Sequence, residues 1–418
     1  MYPGLSMRRG EWILKVAVAA LLTSLLALGA ATGVAFARPH RAVCPGPAAE
    51  GFARCHAHVI VDAHGSPATS STPAGYGPAQ FHGAYALPTT PPSSAPAQTI
   101  AIVDAYDDPS IRNDLTTYDR TFGIPDLPTC SSSVTSSCFA KVNQGGSSSP
   151  LPNANAGWSL EIALDVETAH ELCQSCKVVL VEASSSSGAN LDAAEDTAAS
   201  LGATEISNSW GSESEYSGES GENAHFNHPG IAITVASGDS GYQRFGFPAA
   251  SPFVIDAGGT TLKVTQSAGA YAWAGEETWS GSGSGCSVYF GAQSWQEGAA
   301  GFPLTGCGQS RGIADVAADA NPNTGAAVYD STRYQGRAGW FQVGGTSLAS
   351  PLIAAVYALA GNAASVAYPA LLPYRNPPAL HDVTQGASTG SCPTTACKAG
   401  SGYDGPTGLG TPNGTAGF

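Results

Sequence analysis

Gly344-Gly345-Thr346-Ser347-Leu348-Ala349-Ser350-Pro351 joins an apolar run, Phe341-Gln342-Val343, to an Ala/Leu-rich stretch that continues to 361. An extended run that meets two glycines and then a helix-forming segment reads as a buried strand, a tight turn and a helix over 348–361. Ser347 then stands where the helix begins. The free N–H groups there and the positive end of the helix dipole favour a developing anion. An ordinary N-cap serine would also sit at such a point, but a cap requires neither the paired glycines nor Pro351.

The Gly-Thr-Ser-x-x-x-Pro string resembles the serine-nucleophile signature of the subtilisin-like fold. A nucleophilic serine needs a base, and subtilisins use a histidine in a His-Gly-Thr setting that follows a first Asp. The chain has nine His, none of them before Gly-Thr. His64-Gly65-Ser66 comes nearest. It lies ahead of the first strand of the main body, so it would reverse the order of Asp and His, and the base is sought elsewhere.

Two upstream motifs offer carboxyl groups instead. Trp158-Ser159-Leu160-Glu161-Ile162-Ala163-Leu164-Asp165 falls on an expected helix over 157–172. Glu161 and Asp165 are four residues apart and project from one face. Buried together, they would share a proton and titrate as a pair. Glu167 and Glu171 repeat the spacing and read as a solvated face. Ala236-Ser237-Gly238-Asp239-Ser240-Gly241 follows the apolar run Ile231–Val235. Asp239 there is a turn residue by composition. Subtilisins hold the oxyanion at this point with Asn; an Asp does so only when protonated.

Serine string, Glu-x-x-x-Asp helix and Ser-Gly-Asp turn together resemble the sedolisins, the serine-carboxyl peptidases. Ile206-Ser-Asn-Ser-Trp-Gly211 and Gln98-Thr-Ile-Ala-Ile-Val-Asp104-Ala-Tyr106 support the resemblance, which covers roughly 75–418. It implies an α/β, subtilisin-like three-layer fold with a mostly parallel central sheet and helices on both faces. It implies a serine-type endopeptidase acting on proteins or peptides through an acyl-enzyme. Ser347 would be the nucleophile, Glu161 the general base and then acid, Asp165 the residue that orients Glu161, and protonated Asp239 the oxyanion donor. A base that titrates near the working pH suits acid operation. Asp104 reads as structural.

The same resemblance implies one structural calcium ion. His381-Asp382-Val383-Thr384 and Ala399-Gly400-Ser401-Gly402-Tyr403-Asp404 match the family's calcium segments, with Asp382 and Asp404 side chains and the carbonyls of Val383, Gly400 and Gly402 as ligands. Carboxylates with loop carbonyls suit this hard cation. Trp279-Ser-Gly-Ser-Gly-Ser-Gly-Cys286 resembles a glycine-rich loop of the family and reads as flexible. One departure stands out: sedolisins carry a large N-terminal pro-domain, and only about 37 residues separate Ala37 from the start of the resemblance.

Composition sets the remaining bounds. Of 418 residues, 12% are charged and 43% hydrophobic, which excludes wholesale disorder and a polytopic membrane protein. There are 17 Lys+Arg against 32 Asp+Glu, a formal charge of -15, so a nucleic-acid partner is not expected. Arg8, Arg9 and Lys15, an apolar run to Ala31 and Ala35-Phe-Ala37 read as a signal peptide over 1–37. The expectation is a secreted monomer that meets a membrane only through that signal. Residues 38–74 form a short extension and 75–418 the peptidase domain. The ten Cys fall into neighbouring couples, read as disulfides. Runs at 99–103, 178–181, 231–235 and 341–343, alternating with helices at 157–172, 189–201, about 218–228 and 348–361, argue a parallel sheet with both faces covered. Two other classes remain open: a catalytically inactive sedolisin-like secreted binding protein, and a wall- or carbohydrate-binding protein suggested by the Ser/Gly/Trp-rich loops.

Overall fold

The apolar runs become the centre of an eight-stranded sheet. Its strands are β1 (Thr99–Ala105), β2 (Phe139–Asn143), β3 (Lys177–Ala183), β4 (Glu205–Asn208), β5 (Ala232–Ala236), β6 (Ile255–Ser267), β7 (Ala270–Thr278) and β8 (Val316–Asp319). The order is β7-β6-β5-β4-β1-β3-β2, with β8 beside β6. Every pairing is parallel except β6 with β7. The computed structural model describes Met1 and residues 37–418. The signal-peptide reading therefore lies almost wholly outside the described residues. Residues Arg38–Phe418 form one compact unit, so the extension packs with the rest. Among the described residues no helix is long and apolar enough to cross a membrane.

Helices cover both faces, as the α/β reading requires. They are α1 (Ile111–Phe122), α2 (Ala156–Leu172), α3 (Gly188–Ser200) and α4 (Thr346–Ala360). Helices α2 and α4 pack on each other and on the sheet, whereas α3 packs on β1, β3 and β4. The expected helix near 218–228 is a short helix Glu219–Glu222 followed by a 3₁₀ turn, Asn223–Phe226.

Three expectations need correction. Phe341–Val343 does not join the parallel sheet. It lies in β10 (Arg337–Gly344), antiparallel to β9 (Ala326–Tyr334), within a separate four-stranded sheet. The two-residue turn between them explains this: Gln335 and Gly336 have φ of 49° and 82°, the left-handed pair that closes a tight hairpin. Glu167 and Glu171 are not solvated. Helix α2 is wedged between the sheet, α4 and β9, and all its residues from Trp158 to Leu172 are buried. Glu167 Oε2 accepts the Tyr329 N–H at 2.9 Å, and Glu171 accepts the Tyr118 hydroxyl.

The glycine-rich loop 279–286 is packed rather than free. Gly283 N–H donates to the Gly238 carbonyl at 2.7 Å, and Ser282 and Ser284 are buried. A Cβ on Gly283 would lie 2.0 Å from the Ser237 oxygen, so only glycine fits. All five neighbouring cysteine couples form disulfides: Cys44–Cys55, Cys130–Cys138, Cys173–Cys176, Cys286–Cys307 and Cys392–Cys397. Gly283→Ala is expected to lower stability by about 1–3 kcal/mol, the usual range for overpacking. Denaturant unfolding of the variant checks this, and an unchanged midpoint would contradict the contact.

Candidate active site

The carboxyl ends of the parallel strands gather the residues singled out in the sequence, the edge where α/β sheets place their sites. Ser347 occupies the first turn of α4, whose N-cap Gly345 has φ of 99°. Pro351 has no N–H, so the Ser347 carbonyl has no partner one turn on. The Ser209 hydroxyl fills that place at 3.1 Å. In return, Ser347 Oγ donates to the Ser209 carbonyl at 3.2 Å. This reciprocal pair joins the start of α4 to the segment leaving β4 and gives the distant proline a local purpose.

Helix α2 starts at Asn155, whose side chain caps the N–H groups of Gly157 and Trp158. Glu161 and Asp165 project from it into the interior, both fully buried. Burial pushes the Glu161 carboxyl well above the ordinary range, the neighbouring Asp165 adds to this, and the Ser347 hydroxyl beside it pulls the other way. Asp165 is likewise raised by burial and then by Asp104, against the pull of the Ser209 hydroxyl. Asp104, at the end of β1, is therefore part of the same buried carboxyl group rather than remote from it.

Asp239 turns out of β5 through Gly238, φ 101°. Its Oδ1 accepts both the Thr346 N–H and the Thr346 hydroxyl at 2.8 Å. Among the described residues Oδ2 has no hydrogen-bond partner, with His58 Nε2 3.6 Å away. Burial lifts the Asp239 carboxyl to about 7, against these donors and Arg54. Below that value it is a neutral acid with one oxygen free to donate. The structure thus brings Ser347, Glu161, Asp165 and Asp239 together.

The sequence did not reveal what lies over them. Arg54 and Cys55 pair antiparallel with Gly211 and Trp210. His56 N–H donates to the Ser209 carbonyl at 3.0 Å, and Ala57 N–H to Glu161 Oε2 at 3.1 Å. The strand His58–Ile60 then pairs with β10. Trp210 is buried beneath this segment, its indole N–H bonded to the Val103 carbonyl at 2.8 Å. No motif in 38–74 signalled this path.

The calcium segments lie elsewhere. Asp382 Oδ2 accepts the Gly402 N–H at 3.1 Å, and Asp404 Oδ2 accepts the Gly400 N–H at 2.9 Å. Burial raises Asp404, and the like charge of Asp382 contributes. Neither has a basic partner among the described residues. A separate buried triad, Asp108, Asp114 and Asp330, brings one oxygen from each within 4.8 Å of the others. Three positions so far apart in sequence leave no motif to find.

No family model matches the chain. Kumamolisin from Bacillus sp. (strain MN-32) is 31% identical over 378 residues, which covers 82% of this chain and 63% of kumamolisin. Sedolisin from Pseudomonas sp. (strain 101) is 34% identical over 211 residues, 44% of this chain and 33% of that protein. A solved structure of Pseudomonas sedolisin, a serine-carboxyl proteinase complexed with two molecules of pseudo-iodotyrostatin, superposes with a TM-score of 0.63 at 26% identity. The match covers 82% of this chain and 96% of that one.

The chain belongs to the sedolisin family. It spans less than two thirds of the length of the kumamolisin and sedolisin sequences it matches. Like the sedolisin structure, it has the subtilisin-like α/β architecture.

The site also fixes how stability should vary with pH. Asp108 is raised to about 6, Asp239 to about 7, and Glu171, Glu205, Asp256 and Asp330 to about 8, burial being the first cause each time. These groups ionise near 3.8 or 4.5 once unfolded, so the folded state binds more protons between about 4 and 8. Stability then falls as pH rises through that window. Buried His56 and His58 act oppositely, since burial lowers them, but the carboxyls outnumber them. Thermal scans should give a higher Tm near pH 5 than near pH 8; the reverse order would contradict the buried neutral carboxyls.

Proposed function

We propose that this protein is a secreted, acid-active serine-carboxyl endopeptidase. The observation that carries the reading is the meeting of Ser347, Glu161, Asp165 and Asp239 at one sheet edge. Ser347 attacks a substrate carbonyl and passes its proton to Glu161. Glu161 then returns the proton to the departing amine. Asp165 sits behind Glu161 and, in a like-charge buried pair, ensures that one proton is shared. The carbonyl oxygen becomes negative and is met by the protonated Asp239. Water cleaves the acyl-enzyme by the reverse sequence. Extended chain fits on both sides of the site, along Trp210–Gly211 and along β10, which supports an endopeptidase. The five disulfides fit an oxidising compartment and so support secretion.

Asp239 sets the alkaline limit, because above about 7 its charge repels the oxyanion. Activity on a denatured protein is expected at pH 3–5 and lost above 7. Ser347→Ala should lower it by roughly 10⁴-fold or more. Asp239→Asn, a donor that does not titrate, should extend activity above pH 7. Full activity in Ser347→Ala, or an unmoved alkaline limb in Asp239→Asn, would overturn the assignments.

The residues present fit a calcium ion. Two acidic side chains converge on the 400–402 loop with no basic side chain paired to them among the described residues, and Asp404 is raised partly by Asp382. Asp382 and Asp404, with the carbonyls of Val383, Gly400 and Gly402, would hold the ion, which would supply cross-linking charge to the C-terminal loops. Chelator is expected to lower Tm, and added calcium to restore it. An unchanged Tm would count against the site.

A further inference from the structure

Helices α1 and α2 and strand β9 pack on one another, and acidic residues from distant parts of the chain meet between them. Asp108 lies in the turn from β1 to α1, Asp114 in the first turn of α1 and Asp330 in β9. One oxygen from each lies within 4.8 Å of the others. All three side chains are buried, none more than 2% exposed. Calcium–oxygen bonds are about 2.3–2.6 Å long, so oxygens on opposite sides of one ion stand about 5 Å apart. The three aspartates are spaced as ligands of a single ion would be.

The backbone of β9 holds these carboxyls in place. Asp330 Oδ1 accepts the Thr332 N–H at 2.6 Å, and Asp114 Oδ2 accepts the Ser331 N–H at 2.9 Å. Asp108 Oδ1 accepts the Ser110 N–H at 2.9 Å and the Thr332 hydroxyl at 3.0 Å. Outer contacts of this kind orient the ligands of a metal site. Asp108 and Asp330 each have a second oxygen, Oδ2, that is buried and has no hydrogen-bond partner among the described residues.

A separate observation comes from α2. Glu167 is 1% exposed, and its Oε2 accepts the N–H of Tyr329, the neighbour of Asp330, at 2.9 Å. Its Oε1 is buried without a partner among the described residues. Asp114 and Asp330 are near enough for their charges to act on it. The nearby basic side chains are engaged elsewhere. Lys141 Nζ lies 2.5 Å from Asp107 and 3.6 Å from Glu182, and donates to the main-chain carbonyl of Asp108 at 2.7 Å. Arg112 is paired with Asp126 at 3.2 Å. Buried acceptors left without a donor or a cation carry a desolvation cost, and here three such oxygens belong to one cluster.

We propose that Asp108, Asp114, Asp330 and Glu167 form a second metal site, distinct from the C-terminal loops, that takes a hard divalent cation of the calcium type. Every donor is an oxygen, and neither His nor Cys belongs to the cluster, a set that suits calcium rather than zinc. The ion would tie the turn after β1 and the first turn of α1 to β9 and α2. Helix α2 also carries Glu161 and Asp165, and β1 carries Asp104. The site would therefore brace, from outside the catalytic group, the two elements that deliver its carboxyls.

The test uses the full chain at pH 7, stripped with chelator and then dialysed against calcium. Bound calcium per chain is counted by elemental mass spectrometry, and Tm is measured with and without the ion. A chain with both Asp382→Asn and Asp404→Asn, which disables the C-terminal segments, is expected to keep one ion and a calcium-dependent rise in Tm. Asp330→Asn, which retains an oxygen for the Thr332 N–H, is expected to bind one ion fewer than the wild type. Circular dichroism checks that both variants fold, and each arm decides the matter without the other. A folded Asp382→Asn, Asp404→Asn chain that binds no calcium would overturn the proposal, as would equal calcium content in the wild type and a folded Asp330→Asn chain; the buried acids would then only share protons. A single ion in the wild type, kept in the C-terminal variant and lost in Asp330→Asn, would uphold this site and count against the C-terminal one.

Discussion

Carboxyl groups that enter the interior without cations are the constraint on which the rest of this molecule depends. Helix α2 carries Glu161, Asp165, Glu167 and Glu171 into a space enclosed by the sheet, α4 and β9, and Asp104 and Asp239 reach it from strand ends. Ionising such a group without a partner costs several kcal/mol. With 17 basic residues against 32 acidic ones, the chain cannot pair them all, and burial shifts these carboxyls toward the protonated form, with Glu161 and Asp165 titrating as a pair. The low charge density and the raised buried carboxyls are therefore two faces of the same fact. Hydrogen bonds from Tyr118, Tyr329, Thr346 and Ala57 then decide where each carboxyl points.

A second level of order comes from the backbone near Ser209. Its carbonyl and hydroxyl both engage Ser347, and its carbonyl also receives His56. Pro351 makes this exchange necessary by withholding one helical hydrogen bond. Thr346 works in parallel, accepting from Gly238 and donating to Asp239. Four short segments far apart in sequence are thereby locked to one another at the first turn of α4.

Much of this could be read from the chain alone. Gly344–Pro351, Glu161 with Asp165 and Asp239 each carry a local rule, and all four side chains meet as those rules suggest. Strands β1, β3 and β5 were legible because burial on both faces makes them continuous apolar runs. Strand β6 was not, since Asp256, Gly258, Gly259 and Thr260 break its pattern while their partners are supplied by Asp315, Ser282 and Glu276. The burial of Glu167 and Glu171 was missed because spacing on a helix does not say what packs against it. The path of residues 54–60 was missed because its bonds run through main-chain groups, which every residue type possesses.

The bond from the Trp210 indole to the Val103 carbonyl has a consequence of a different kind. Trp210 pairs directly with Cys55, one half of a disulfide, and is shielded from water beneath it. Disulfides quench indole emission at close range, and water shifts that emission to longer wavelength. The strand that pairs with Arg54–Cys55 thus carries a fluorophore of its own, one of seven Trp in the chain, whose brightness and colour depend on that segment lying over it.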